Sequence, residues 1–264
     1  MTDQHQLSRS QRWRALLGLL AERGSLSVTD AATQLGASAA TIRRDFTSLE
    51  EQQLATRTHG GVVATAVAYE LPARYRAAGD QPTKERVAAA AARQVSAGAV
   101  VGLNGGTTTT ACARHLAART DLTSNDPLTV VTNALNIATA MVLRPHVRTL
   151  CIGGVARPES YELHGPFASR FLADLRLDVL LLGVDALTVD NGAMCRHLGE
   201  AGINSEMVSR AGRVVVVATS EKLDRTALSQ ICPVASVQAL VTDSDAAPEH
   251  LDAFKGAGIE VILA

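Results

Sequence analysis

The chain has 264 residues, 47% hydrophobic and 19% charged, a balance that excludes disordered or fibrous classes and leaves room for two packed domains. A formal net charge of −1 excludes a polycation, so any contact with nucleic acid must come from a local surface. Cys112, Cys151, Cys195 and Cys232 lie far apart, with no C-x-x-C spacing or neighbouring histidine pair, so neither a disulfide framework nor a zinc site is expected. The stretch from Met1 to Arg14 lacks the apolar core of a signal peptide, and no later apolar run is long enough to span a bilayer. A cytoplasmic protein with no membrane partner is expected.

Ser8 or Ser10 can cap a first helix whose apolar face is Trp13, Leu16, Leu17 and Leu20, and Gly24 stops it. Ser27-Val28-Thr29-Asp30 is a capping pattern that opens a short second helix ending at Gly36. A third helix starts at Ser38. Its wheel places Ile42, Phe46 and Leu49 on one side and Ala40, Arg44, Thr47 and Ser48 on the other, with Thr41 and Arg43 on the flanks. That outward face is small, hydroxylated and guanidinium-bearing, which suits a major groove. Arg57-Thr58-His59-Gly60-Gly61 then forms a basic turn between short apolar strands, like a hairpin wing. An ordinary solvated helix, with Arg43 and Arg44 balanced by Asp45, Glu50 and Glu51, is the competing reading.

Ser38 to Phe46, Leu49-Glu50 and Arg57 to Gly61 together resemble the winged helix-turn-helix signature of DeoR-type bacterial transcriptional regulators. The resemblance implies a recognition helix from Ser38, with Ala40, Thr41, Arg43 and Arg44 near double-stranded operator DNA and Arg57 and His59 on the wing. Phe46 and Gln53 depart from the common pattern in packing only.

Residues 66–82, with Pro72 and Gly79 as breakers, read as a linker between a DNA-binding domain at 1–65 and a second domain at 83–264. An alanine-rich helix from Thr83 to Val95 opens that domain. Strands are expected at 99–103, 128–132, 147–152, 179–184, 214–218, 239–242 and 259–263, with helices between most of them. Runs such as Val214 to Val217 imply strands buried on both faces, hence a mostly parallel α/β sheet whose ligands bind at the strands' carboxyl ends.

The first of those ends is Asn104-Gly105-Gly106-Thr107-Thr108-Thr109-Thr110. Glycines let backbone approach a ligand, and a helix beginning there aims N–H groups and its positive dipole end at an anion. The loop matches neither G-x-G-x-x-G nor G-x-x-x-x-G-K-[ST], so no dinucleotide or ATP cofactor is expected. A plain strand-to-helix turn with threonine caps is the alternative. Further strand ends bring Thr132-Asn133, Gly153-Gly154 with Arg157, Asp185, Glu200 and Lys222, a set suited to a phosphorylated, polyhydroxylated molecule. Thr132 and Asn133 can equally cap a helix, and Gly153-Gly154 can be a tight turn. His164 and His197 have no metal-ligand partners at useful spacing and read as structural or rim residues.

This order of motifs is similar to the sensor domain of DeoR-type regulators. The resemblance implies a fold related to ribose-5-phosphate isomerase and sugar-phosphate deaminases, and the runs Lys222 to Leu228 and Ala257 to Leu263 look most like the branch for N-acetylgalactosamine and related amino sugars. Asn104 and Thr219 stand where the family usually has aspartate, which implies a pocket short of carboxylates; Leu198 and Gly199 replace acids common before Glu200. Two functions compete. One is a repressor, dimeric or tetrameric, released by a small phosphorylated sugar. The other is an isomerase or deaminase with an added helical domain, using Asp185, Glu200 and Lys222. The helix from Ser38 and its wing serve no purpose in an enzyme, so a non-enzymatic switch without catalytic residues is expected.

Overall fold

The computed structural model describes residues 9–23, 25–51, 55–58, 60–63, 81–119, 121 and 127–264. Contacts divide the chain into two compact units, Met1–Arg76 and Ala77–Ala264. Among the sequence expectations, His59, Gln53 and residues 66–80 of the linker lie outside the described residues.

The first unit contains α1 (Arg9–Arg23), β1 (Ser25–Ser27), α2 (Val28–Leu35), α3 (Ala39–Glu51), β2 (Thr56–Arg57) and β3 (Gly61–Val63). The capping pattern works as read: Ser27 Oγ accepts from the Asp30 amide, and Gly36 ends α2 in the left-handed region at φ 59°. Ser38 Oγ accepts from the Thr41 amide at 3.1 Å and starts α3. Strand β1 has no sequence signal, because three residues after a helix stop carry no period. It pairs with β3, Leu26 opposite Val62, to give a sheet in the order β1-β3-β2. Gly61 is fixed by that pairing, since a Cβ there would lie 2.1 Å from the Leu26 carbonyl oxygen. Leu16, Leu20, Ile42, Phe46 and Leu49 fill the core.

The second unit opens with α4 (Gln81–Ala92), then β4 (Val100–Leu103), α5 (Thr107–Ala117), β5 (Leu128–Thr132), α6 (Leu135–Val142) and β6 (Val147–Cys151). It continues through β7 (Val155–Ala156), β8 (Leu163–His164), α7 (Pro166–Leu172), β9 (Leu177–Gly183), β10 (Ala186–Thr188), β11 (Gly192–Cys195) and α8 (Leu198–Arg210). Last come β12 (Ala211–Val217), β13 (Ser229–Cys232), β14 (Ala239–Thr242), α9 (Pro248–Gly256) and β15 (Glu260–Leu263). The seven runs that read as strands form one parallel sheet in the order β15-β14-β12-β9-β4-β5-β6, with shifted ends. Along β12, Val215 and Val217 enter one core cluster while Val214 and Val216 enter the other. The strand is thus buried on both faces, and each such side chain contributes about 1.5–3 kcal/mol. The β7–β8 pair and the small sheet β10-β11-β13 escape sequence reading because their strands are too short to show alternation.

Candidate functional site

On α3 the side chains of Ala40, Arg43, Arg44 and Thr47 are exposed, as is Ser38 just before it, and Thr41 is half-buried. With Arg9 and Arg12 this face lines an open depression of about 480 Å³. Arg12 is paired with Asp45, whereas neither Arg43 nor Arg44 pairs with a described residue. Arg57 on β2 is exposed as well. Asp45 is not part of a solvated face, as the competing reading required. It is 4% exposed, accepts from Arg12 Nη2 at 3.1 Å and Trp13 Nε1 at 3.0 Å, and ties α1 to α3. Burial pushes its carboxyl up, but the hydrogen bonds from Arg12 and Trp13 outweigh this and leave it below the usual carboxylate range. The acid nearest Arg44 is therefore consumed internally, and the arginines keep their charge outward.

In the second unit the predicted residues do converge on the carboxyl edge of the sheet, in unequal roles. Asn104 is 2% exposed. Its Nδ2 donates to the Gly183 carbonyl at 3.0 Å and its Oδ1 accepts from the Gly183 amide at 2.8 Å, clamping the end of β4 to that of β9. An aspartate could only accept, so the amide answers to the backbone rather than to pocket charge. Gly106 (φ 139°) precedes α5, whose N-terminus has no side-chain cap. Thr109 and Thr110 donate to the Gly106 carbonyl at 3.1 and 2.6 Å, and neither caps a backbone amide of the first turn; Thr110 Oγ1 accepts instead from Asn136 Nδ2 at 2.9 Å. The first-turn N–H groups therefore keep the arrangement that suits an anion. Thr107 is half-buried, while the 2%-exposed Thr108 hydroxyl finds no hydrogen-bond partner among the described residues.

Glu162, which sequence reading misses, sits over this loop. A Cβ on Gly105 would lie 2.4 Å from its Cγ, so only glycine admits it. The turn between β7 and β8 delivers Glu162 through Tyr161 at φ 60°, with the Arg157 amide donating to the Glu162 carbonyl at 2.9 Å. Its carboxylate is 4% exposed and accepts from Asn133 Nδ2 at 3.0 Å and Asn204 Nδ2 at 3.5 Å. The Oδ1 atoms of both asparagines are buried without a partner among the described residues. The expectation of a carboxylate-poor pocket is thus corrected: an acid is present, but it comes from a hairpin with no periodic signal. Thr219, by contrast, is buried and donates to Glu221 at 3.2 Å.

Arg157 Nη1 donates to Glu200 Oε1 at 2.8 Å, and Arg157 Nε pairs with Glu159 at 3.1 Å. Asp185 accepts from the Arg196 amide at 2.9 Å, and Lys222 Nζ donates to the Val184 carbonyl at 2.7 Å. Burial pushes the Cys195 thiol up to about 12, and the charges of Glu200, Asp185 and Glu162 all add to the rise. Thr132 accepts from the Ala134 amide at 3.0 Å, a turn bond rather than the cap held open for it, since α6 has Ala134 as its N-cap and no side-chain cap. Asn133 turns to Glu162 instead. Gly153 and Gly154 are exposed, and Gly154 (φ 146°) is needed because a Cβ would lie 2.6 Å from the His164 carbonyl oxygen. The His164 and His197 rings lie 5.4 Å apart, and His197 Nδ1 accepts from the Glu200 amide at 3.3 Å as the N-cap of α8. Among the described residues no helix is long and apolar enough to cross a membrane.

A three-helix unit with a sheet wing and an outward cationic helix, followed by a parallel α/β unit with polar groups at its carboxyl edge, defines a helix-turn-helix regulator with a sensor domain. Residues 12–66 match the family model described as the DeoR-like helix-turn-helix domain, and residues 80–244 match the DeoR C terminal sensor domain. The chain belongs to the DeoR family of transcriptional regulators. It is 31% identical over 258 residues to the HTH-type transcriptional repressor CsqR of Escherichia coli (strain K12), covering 98% of this chain and 97% of that one. It is 32% identical over 257 residues to an Escherichia coli O157:H7 protein provisionally named an aga operon transcriptional repressor (96% and 93% covered). Identity to the glycerol-3-phosphate regulon repressor of Escherichia coli (strain K12) is 27% over 238 residues (90% and 92% covered). Among solved structures, ribose 5-phosphate isomerase A of Methanocaldococcus jannaschii aligns over 55% of each chain at 17% identity with a TM-score of 0.40.

Proposed function

We propose that the chain is a repressor that holds operator DNA through the α3 face and is released when a phosphorylated sugar or amino sugar binds at the carboxyl edge of the sensor sheet. The observation that carries the DNA assignment is the pair Arg43 and Arg44, exposed and without an ion-pair partner among the described residues, on the helix whose opposite side is the core. Such guanidinium groups serve guanine edges or phosphates, with Ser38, Ala40 and Thr41 allowing close approach and Arg57 reaching from the wing. Because one such module reads a short half-site, a dimer or tetramer presenting paired modules follows.

At the sensor edge, Gly105, Gly106, Thr107 and Thr108 with the first turn of α5 would take the phosphate, and Asn133, Arg157, Asp185, Glu200 and Lys222 the rest of the ligand, while Asn104 positions the loop. The name of the aga operon relative favours the amino-sugar branch. A binding role suits these groups better than catalysis. Enolisation needs a base placed to take a proton, whereas Glu200 is paired with Arg157 and Asp185 accepts from the Arg196 amide. Ligand and DNA would be coupled by linkage of about 1–3 kcal/mol. The test is DNA from the upstream region followed by fluorescence anisotropy while phosphorylated sugars and amino sugars are added. Release by at least one supports the switch; turnover of a compound would move the site to an isomerase or deaminase.

A further inference from the structure

We propose that the outward face of α7, with the adjoining first turns of α8, is where a second copy of this chain docks, two α7 helices lying antiparallel across a two-fold axis. The inference rests on the reading that paired modules hold the operator, and it assigns the surface that pairs them.

The face stands out by where its aromatic side chains lie. The chain has four phenylalanines; Phe46 and Phe254 are buried in the cores, whereas Phe167 is 72% and Phe171 42% exposed. Both exposed rings are on α7 at i and i+4, so they share one side, while Ala168 and Leu172 on the other side enter the core. Leu198, 69% exposed, opens α8. His164 and His197, within two residues of the starts of α7 and α8, have rings 5.4 Å apart, and Ser169 Oγ donates to Glu206 Oε1 at 2.5 Å further along. The two helices therefore run side by side, with their inner faces in the same core cluster. Their outer faces join into one apolar patch of the kind that marks an interaction surface.

The charges on the patch say what covers it. Arg170 and Asp174 lie on the same side of α7 as the rings, at i+3 and i+7 from Phe167, because Ala173 keeps helical dihedrals of φ −54° and ψ −35°. Both are exposed and neither pairs with a described residue, although their i, i+4 spacing permits a pair. A face with a cation at one position and an anion one turn on is complementary to its own reverse. An antiparallel copy brings each Arg170 within reach of the partner's Asp174 and gathers the rings of both copies about the axis. A polyanion or an acidic peptide would satisfy Arg170 and leave Asp174 opposed. Nor does the first unit offer a cover, since among the described residues every large exposed hydrophobic side chain belongs to the second unit.

Gly202 is an independent sign. It is exposed at i+4 from Leu198, and a Cβ there would meet nothing within 4 Å. Packing within the chain therefore does not call for glycine in this helix interior, where glycine is unfavourable, whereas close approach of a partner does. The inner side of α8 carries Glu200 and Asn204, buried at the proposed effector edge. One helix thus faces the effector on one side and the partner on the other, which gives a ligand a direct route to the spacing of the paired modules.

The test is analytical ultracentrifugation of the full chain over a concentration series, with the thermal midpoint of each variant as the check on folding. Wild type is expected to be an even-numbered oligomer, and Phe167→Asp combined with Phe171→Asp to cut its mass at least by half. Gly202→Leu should weaken self-association at least about thirtyfold while leaving the midpoint unchanged or raised. Arg170→Asp and Asp174→Arg should each weaken it about tenfold, and the two together should restore it, because the reversed pair is again complementary. If the phenylalanine or the single charge variants associate like wild type, or if the combined reversal fails to recover what the single ones lose, the assignment is overturned while the paired-module reading stands. A wild-type chain that is monomeric at every concentration, alone and on upstream DNA, removes the paired-module reading and this assignment with it. Arg170 and Asp174 are exposed, so their reversals decide the matter even if the phenylalanine variant does not fold.

Discussion

The two candidate sites of this chain are built on opposite principles. On α3 the working side chains point outward from one helix, and the acid that could have neutralised them from beneath, Asp45, is turned inward onto Arg12 and Trp13. At the edge of the sensor sheet the polar groups point inward and hold one another, Asn104 on Gly183, Asn133 and Asn204 on Glu162, Arg157 on Glu200. A surface that must meet a long polyanion keeps its charges exposed and loosely held, since the partner brings its own field and counterions. A pocket that must discriminate among small molecules needs fixed dipoles in a dry environment. Substitution should therefore change binding alone at the first site, but stability and binding together at the second.

The largest effect is expected where the exposed site depends on its buried support. Asp45→Ala removes the acceptor for Arg12 and Trp13 and should cost the first unit about 3 kcal/mol, read as a fall in its thermal midpoint. An unchanged midpoint would mean that the pair contributes nothing to the outward display of Arg43 and Arg44. Acid should probe the same pair. The Asp45 carboxyl is held below its usual range in the fold, so its contribution is complete above the unfolded value near 4 and is lost as pH falls through the lower folded value. A melting series from about pH 6 down to about 2 should show the loss at the acid end in the wild type and its absence in Asp45→Ala.

Next in size are the arginines themselves. Arg43→Ala and Arg44→Ala should each cost about 1–3 kcal/mol of operator affinity where a base is contacted, with stability held within about 0.5 kcal/mol because both are exposed. Operator titrations and melts of the two proteins side by side check this, and full operator affinity in both would remove α3 from the interface. Asn104→Asp tests the inward site. It deletes the donor to the Gly183 carbonyl and sets a carboxylate beside that oxygen, which should destabilise the second unit by about 1–3 kcal/mol. A neutral outcome would show that the clamp is dispensable. The smallest effect is chemical rather than energetic. Burial pushes Cys112 and Cys195 up to about 12 and Cys232 up to about 11, while Cys151 is exposed, so thiol labelling of native chain should modify Cys151 first. Prompt labelling of Cys195 would reveal that the second site opens to solvent.

How much is legible from sequence differs between the sites for a physical reason. The seven strand runs, the Ser27 cap, the Gly36 stop and the apolar side of α3 each depend on residues within a few positions of one another, and local periodicity reports such things directly. Glu162 does not. It reaches the site because a two-strand hairpin folds across the ends of β4 and β5, and nothing in Ser160-Tyr161-Glu162-Leu163-His164 distinguishes an inward acid from a loop acid. Asn104 is visible as a site residue while its role is not, because its partners are the backbone groups of a residue 79 positions away. Gly154 reads as a ligand-binding glycine and proves to admit the His164 backbone.

By itself, then, the order of residues determined the kind of protein this is: helix faces, caps and buried β-branched runs are set by nearest neighbours and dictate a helix-turn-helix unit followed by a parallel α/β unit. Only the tertiary structure decided which polar groups are already satisfied and which are not. That distinction depends on groups brought together from distant strands, since a hydrogen bond is made or missed over an ångström, a scale on which sequence spacing carries no information.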